Sequence, residues 1–292
     1  MNEILFRIFK RIHRALRGSG LGKFKLFRDL RDSVYRSVRP GSPRVIELSG
    51  FKLWVDPSAA GGVVPWLLLD DIHEPSETGC IREHLRPGGT FVDIGANIGY
   101  HTVLAATVVG ERGRVYAFEP EPENFRTLTR NIALNNLRNV EAEAKACSDT
   151  IGELTLFLDK ANAGGHHLYD TRDGSDSIRI PTTTIDEYFR EIDGTIDMIK
   201  MDIQGHEPAA LRGMLTILGK HPEVKIVTEF DAQMLTEGGS RPADFLRTLQ
   251  GLGYRFTILS DYGNSVENAA PENIISRCAD GQSVNLYCER GT

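Results

Sequence analysis

Apolar and polar positions along this chain follow two rhythms, and the change between them falls near residue 44. In residues 2–17 the side chains Ile4, Leu5, Ile8, Phe9, Ile12 and Leu16 recur at three- and four-residue intervals. Arg7, Lys10, Arg11, Arg14 and Arg17 fill the gaps. That is the helical period, so the spacing predicts a basic amphipathic helix ending near Gly18-Ser19-Gly20. From Arg44 the rhythm shortens. RVIELSGFKLWVD reads as two short strands around Ser49-Gly50, a hairpin. PSETGCIREHL predicts a helix with Ser76 as its capped start and Glu77 in the first turn, broken by Pro87-Gly88-Gly89.

From Thr90 onward, apolar runs of strand length alternate with helical patterns. Strands are expected over 91–95, 114–120, 140–148, 152–159, 196–202, 224–230, 254–259 and 284–290. Helices are expected after Asn97 and over 122–136, 183–192, 208–218 and 241–253, with Thr184 and Glu187 in capping-box register. This alternation predicts an α/β fold, a mostly parallel sheet with helices on both faces. No helical pattern separates the last two strands, which predicts that they pair antiparallel. Residues 160–177 read as a polar, Gly-rich insertion. The expected organisation is a basic arm over 1–40, a hairpin and helix over 41–86, and an α/β domain over 87–292.

Composition changes this picture in one respect. The 292 residues are 40% hydrophobic and 25% charged, ordinary for a globular chain. The net charge of −6 is unevenly spread: residues 1–40 carry eleven Lys/Arg against three Asp/Glu, so the rest is strongly acidic. An acidic body without aromatic residues interleaved among its basic ones disfavours nucleic acid as a partner. The basic helix fits peripheral contact with an anionic membrane surface; packing on its own domain or on a second subunit, a frayed tail, and an organellar transit peptide (disfavoured by Glu3) are the other readings. Cys80, Cys147, Cys278 and Cys288 form no C-x-x-C pair and no zinc spacing, as in reduced cytoplasmic proteins. There is no run of about 18 apolar residues, and without an uninterrupted apolar segment or a small-residue cleavage site near residue 1 no secretory signal is expected. The expected location is cytoplasmic, with the inner face of the membrane as the peripheral option.

The chemistry starts at FVDIGANIGY, Phe91 to Tyr100. A strand runs into Asp93, a turn follows at Gly95 and Gly99, and a helix opens. In an open parallel sheet this is where a nucleotide-like ligand sits. The next strand ends at Glu119, placed to hold ribose hydroxyls. A dinucleotide and S-adenosylmethionine fit equally up to this point. Asn97 stands where a dinucleotide fingerprint needs its middle glycine. A carboxylate at Asp93 would repel a pyrophosphate but suit a methionine ammonium beside a sulfonium. D-x-G-x-N-x-G therefore matches S-adenosylmethionine better, and a NAD-binding oxidoreductase becomes the lesser alternative.

FVDIGANIGYHT, VYAFEPEPENF, IDMIKMDIQGHE and VTEF, in this order and spacing, resemble the FkbM-type S-adenosylmethionine-dependent methyltransferases. The resemblance runs from about Glu74 to Glu229. It implies a class I methyltransferase (Rossmann-like) fold over 87–292 and O-methylation of sugars or other small natural products. By matching motif it implies that Asp93, Gly95, Asn97 and Gly99 line the methionine end, Glu119 holds the ribose, and Ser148 and Asp149 lie by the adenine. Asp202 would face the transfer site. Gln204 departs from the pattern, since many members carry Glu there. The arm lies outside the resemblance.

A hydroxyl is a poor nucleophile, so a positioned base matters. Asp202, His206 and Glu229 lie at strand ends where an acceptor would arrive and are the candidate catalytic groups, with Glu207 as a helix-terminal charge. His166 and His167 are expected on a substrate loop. No metal is expected, because no carboxylate stands at ligand spacing from them, which leaves a magnesium-dependent catechol-type site as an alternative without support. The leading expectation is methylation of a hydroxyl on a glycan, glycolipid or small metabolite. N- or protein methylation on the same sheet remains the alternative, disfavoured by Asp202-Ile203-Gln204-Gly205 where an Asn/Asp-Pro-Pro-Tyr-like motif would stand.

Overall fold

The computed structural model describes residues 2–16, 25–59, 62–159, 164–169, 175–192, 194–261, 265–278 and 281–291. Helices α1 (Asn2–Leu16) and α2 (Lys25–Val38) precede a hairpin, β1 (Arg44–Leu48) and β2 (Phe51–Val55), and helices α3 (Val63–Asp70) and α4 (Pro75–His84). Then come β3 (Thr90–Ile94), α5 (Tyr100–Val109), β4 (Arg114–Phe118), α6 (Pro122–Leu134) and β5 (Val140–Glu143). A side branch holds β6 (Ala146–Cys147), β7 (Gly152–Phe157), β8 (Ser177–Thr183) and α7 (Ile185–Tyr188). The chain continues through β9 (Met198–Met201), α8 (Glu207–Arg212), α9 (Leu215–Lys220), β10 (Lys225–Asp231) and α10 (Ala232–Glu237). It finishes with α11 (Pro242–Gly251), β11 (Tyr254–Leu259), α12 (Pro271–Arg277) and β12 (Ser283–Arg290).

Seven strands make the main sheet in the order β11-β12-β10-β9-β3-β4-β5. The five from β10 to β5 are parallel, while β12 runs antiparallel to both β10 and β11. This is a class I methyltransferase sheet. Chain order reverses between β3 and β9, so the crevice beyond their carboxyl ends is the switch point where a ligand belongs. Both faces are covered. Along β3 the pleat sends Phe91 into the core shared with α4, α5 and β2, and Val92 and Ile94 into the core on the other face.

The expected antiparallel pairing of the last two strands is present, although α12 stands between them in sequence. Other expectations need correction. Ser76 does not cap α4. The helix opens at Pro75 after Glu74, and the Ser76 N–H donates instead to Asp261 Oδ1 at 2.7 Å. The run 140–148 splits: β5 closes the edge of the main sheet, while β6 leaves it to pair with β8. The run 208–218 also splits, at Gly213, which packs so closely on the chain after β6 that a Cβ there would lie 1.9 Å from the Ser148 carbonyl oxygen. Asp186 restarts the helix by accepting from the N–H groups of Thr216 and Ile217. Thr184 caps α7 as its register predicts, but the helix ends at Tyr188. Helix α3 escapes a sequence reading because VVPWLLLD lacks a polar face; Pro65 falls in its first turn, where no N–H is needed. Pro181 likewise disguises β8.

Helices α1 and α2 dock through Phe6 and Tyr35, both buried, whose rings meet edge to face at 6.4 Å. Lys10 and Arg14 pair with Asp71, and Arg14 Nε donates to the Leu69 carbonyl at 2.9 Å. The opposite stripe of α1 stays outside: Ile4, Leu5, Ile8, Ile12 and Leu16 are all exposed. All four cysteines are free and buried. Among the described residues no helix is long and apolar enough to cross a membrane.

Candidate active site

The turn after β3 is built from backbone. Gly95 has φ +83°, and a Cβ there would lie 2.0 Å from the Asp202 carbonyl oxygen, so only glycine lets β3 and β9 close together here. The N–H groups of Gly95 and Ala96 both donate to the Phe118 carbonyl at the end of β4. Asn97 adopts left-handed backbone (φ 51°), and its N–H donates to Glu119 Oε2 at 2.7 Å. Its side chain accepts from the Ile98 N–H. Gly99 (φ +91°) opens α5 where a Cβ would press on Leu128. Glu119 also accepts from the Glu121 N–H at 2.9 Å. Burial pushes its carboxyl up to about 7, against the pull of these donors.

A cavity of about 500 Å³ opens at this point. Gly95, Asn97 and Glu119 line it, with Ala146, Cys147 and Leu156 as an apolar side. Asp93 is not among the lining residues. Its side chain turns behind the turn, 1% exposed, where Oδ2 accepts from the Thr102 hydroxyl at 2.6 Å and Oδ1 has no partner. Burial raises its carboxyl, opposed by Lys200 and Thr102. Ser148 and Asp149 also fall outside the lining, one step past Ala146 and Cys147. Ser148 Oγ lies 3.0 Å from His206 Nε2, and Asp149 accepts two bonds from Arg212. His206 therefore belongs to this neighbouring cluster, outside the lining, and burial holds its imidazole neutral, with a pKa lowered to about 4.

The other end of the cavity is made of charges. Lys200, Asp202, Gln204 and Glu229 line it. Lys200 is buried, its ammonium 3.4 Å from Asp202 and 3.9 Å from Glu77. Burial works to discharge it, but Asp202, Glu77, Glu74 and Asp93 outweigh that and raise its pKa well above the usual range. For Asp202, burial is outweighed by the Lys200 charge and the Gln204 amide, so its carboxyl sits below the usual range. Glu229 goes the other way: burial, then Asp202 and Glu207, push it well up. Gln204 stands between them in left-handed backbone (φ 54°), and its Nε2 donates to Asp202 Oδ1 and to Glu229 Oε2, each at 2.9 Å. Glu207 accepts from the Ile203 and Gly205 N–H groups, each at 3.0 Å, and so pins the loop after β9. His166 lines the cavity and accepts from the Asp159 N–H at 3.0 Å, whereas His167 turns to the Gly165 carbonyl.

Sequence reasoning missed Lys200, His73, Glu74 and His101, all of which line the cavity. Lys200 did leave a signal: a lysine between Ile199 and Met201 in a strand with no exposed face.

The residues present fit S-adenosylmethionine. The glycine turn leaves no room for any side chain at Gly95, Glu119 offers a carboxylate to a ribose, and Ala146 and Cys147 offer an apolar wall. With the sheet order and switch point, this defines an S-adenosylmethionine-dependent methyltransferase of class I. Residues 93–256, more than half of the chain, match the model of the methyltransferase FkbM domain, and the chain belongs to that family, which uses S-adenosylmethionine. It is similar to the hexuronic acid methyltransferase AglP of Haloferax volcanii, 27% identical over 180 residues that cover 61% of this chain and 70% of that protein. Methyltransferase 1 of Beauveria bassiana is 26% identical over 143 residues, 42% of this chain and 57% of that protein. Among solved structures, Aeropyrum pernix fibrillarin with natively bound S-adenosyl-L-methionine aligns at a TM-score of 0.42 and 14% identity, covering 84% of this chain and 82% of that one.

Proposed function

We propose that the protein methylates the oxygen of a sugar hydroxyl on a glycan, glycolipid or small natural product. The observation that carries this reading is Asp202, an ionised carboxylate on the cavity wall held by Lys200 and Gln204. The likeness to a hexuronic acid methyltransferase supports a sugar acceptor. When bound, S-adenosylmethionine supplies the electrophilic methyl group. Gly95 and Asn97 would hold its methionine part, Glu119 its ribose, and Ala146 and Cys147 its adenine. Asp202 takes the proton from the acceptor hydroxyl as the oxygen attacks, and Lys200 keeps that carboxylate charged until the proton arrives. Glu229, protonated by its surroundings, adds no second negative charge to the acceptor end.

The exposed stripe Ile4, Leu5, Ile8, Ile12 and Leu16 supports peripheral contact with anionic lipid, which favours a lipid-linked sugar as acceptor. Incubation with hexuronic acid glycans and labelled cofactor tests the reaction. Label in an alkali-stable sugar ether supports it, and label in peptide amines or carboxyl esters overturns it. Sedimentation with anionic liposomes tests the stripe, which Ile8→Asp with Ile12→Asp is expected to release from the membrane.

A further inference from the structure

The cavity wall carries a cluster that the transfer chemistry above does not use. Glu74 precedes α4, Glu77 lies in its first turn, and His101 lies in the first turn of α5. His101 Nε2 stands 3.8 Å from Glu74 Oε2 and 3.8 Å from Glu77 Oε2. The three donor atoms all lie within 4.8 Å of one another. Each is buried and makes no hydrogen bond, although Glu74 Oε2 also has His73 Nε2 at 3.4 Å and Glu77 Oε2 has the Lys200 ammonium at 3.9 Å. Glu77 is 1% exposed and His101 5%. Buried polar atoms nearly always make hydrogen bonds, so three that make none and lie this close together point to something held between them. Such spacings leave a centre roughly 2.1–2.5 Å from each atom, close to the bonds a divalent metal makes to imidazole nitrogen and carboxylate oxygen.

Charge points the same way. Lys200 has the carboxyl groups of Asp202, Glu77, Glu74 and Asp93 around it, more acidic groups than one ammonium can answer. A cation held between Glu74 and Glu77 offsets the repulsion between those two carboxylates. One imidazole with two carboxylates suits Mn²⁺, Fe²⁺ or Zn²⁺ rather than the all-oxygen sphere of Mg²⁺. Spacing along the chain hides the set, because two ligands come from the α4 entrance and one from α5.

We propose that Glu74, Glu77 and His101 bind one divalent transition-metal ion in the wall of the transfer cavity. Glu74 and His101 line the cavity and Glu77 closes the site from behind, so the open coordination positions face the acceptor. An ion there would take a sugar hydroxyl or carboxylate oxygen as a further ligand and make that hydroxyl more acidic. This role rests on the acceptor reading above, but the ion site does not.

The test is titration of the full, metal-stripped chain with Mn²⁺, read by the paramagnetic resonance of the free ion, and with Zn²⁺ in competition. One site per chain is expected, weakened at least about tenfold in both Glu77→Gln and His101→Gln, as loss of a ligand requires. S-adenosylhomocysteine binding by the same variants checks that the fold and the cofactor end are intact. No binding at millimolar metal overturns the proposal, and so does unchanged metal affinity in both variants. A Glu77→Gln protein that loses S-adenosylhomocysteine instead of metal would assign the cluster to the cofactor's ammonium and overturn it too. Should the variants fail to fold, the visible spectrum of the Co²⁺-loaded wild-type chain decides: ligand-field bands of a protein-bound ion support the site, and the spectrum of free aquo-Co²⁺ overturns it. None of these readouts requires methyl transfer, so loss of the metal site and loss of the acceptor reading are separable.

Discussion

The two ends of the cavity are made in different ways. The cofactor end is backbone: Gly95, Asn97 and Gly99 shape one short turn, and a single carboxylate, Glu119, is tied to it by the Asn97 N–H. The acceptor end is side chain: Lys200, Asp202, Gln204 and Glu229 converge from β9, the loop after it and β10, with Glu74 from just before α4 and His101 from α5. A backbone site tolerates little variation in shape. A side-chain site can be re-specified one residue at a time while the cofactor stays where it is. That division lets one fold serve many acceptors.

The comparison can be broken most severely at Gly95. A Cβ 2.0 Å from the Asp202 carbonyl cannot be absorbed by rotating a side chain. Gly95→Val should abolish S-adenosylhomocysteine binding in calorimetry, a loss of more than about 100-fold, with thermal melting as the control for folding. Retained binding would mean that the two ends are not locked together. At the other end, Asp202→Asn should lower kcat by about 10²–10⁴-fold, the range of a lost general base, and leave cofactor affinity within about threefold. If both constants fall together, the division between ends is wrong.

Glu119→Gln should cost about 10- to 100-fold in cofactor affinity, as expected of a charged hydrogen-bond acceptor. It also sets a pH dependence. The folded-state pKa of Glu119, about 7, is raised above the unfolded value, so its contribution to stability is fully present below the unfolded pKa and is lost as pH rises toward 7. Ribose hydroxyls bind the ionised form, so wild-type affinity should climb by up to about tenfold per pH unit until near pH 7 and then level off. The glutamine variant should be flat in calorimetry over the same range. The smallest effect is expected at His206. His206→Ala should leave kcat within about threefold and lower stability by about 1 kcal/mol, the worth of its bond to Ser148. Its folded pKa, about 4, is depressed, so the stability it contributes above its unfolded pKa is lost as pH falls toward 4. Urea midpoints between pH 4 and 7 check this. A collapse of kcat in His206→Ala would return this residue to the list of bases.

The two ends also differ in how much the sequence discloses. D-x-G-x-N-x-G is contiguous, and its glycines and asparagine do locally what their conformations permit, so the turn and Glu119 were legible. Asp93 was legible as a residue but not in its direction. The pleat that sends Val92 and Ile94 to one face sends Asp93 to the other, toward Thr102, and only the register with β9 decides what that means. Ser148 and Asp149 fall outside the cavity lining for a related reason: β6 pairs with β8 instead of the main sheet, and its own residues, Ala146 and Cys147, are the ones at the cavity. Glu74 and His101 were illegible because their meeting depends on how α4 packs against α5. The strand alternation of the sheet was plain, whereas α3 and β8 each carry a proline that masks their period.

Gln204 has a consequence for how the acceptor end handles protons. Two carboxylates that touch usually share one proton and titrate as a pair. Here a carboxamide with two N–H bonds occupies the space between Asp202 and Glu229. An amide donates but does not pass a proton on, so Gln204 acts as an insulator. One carboxylate stays discharged of its proton and the other stays loaded, and the proton removed from an acceptor has a single address.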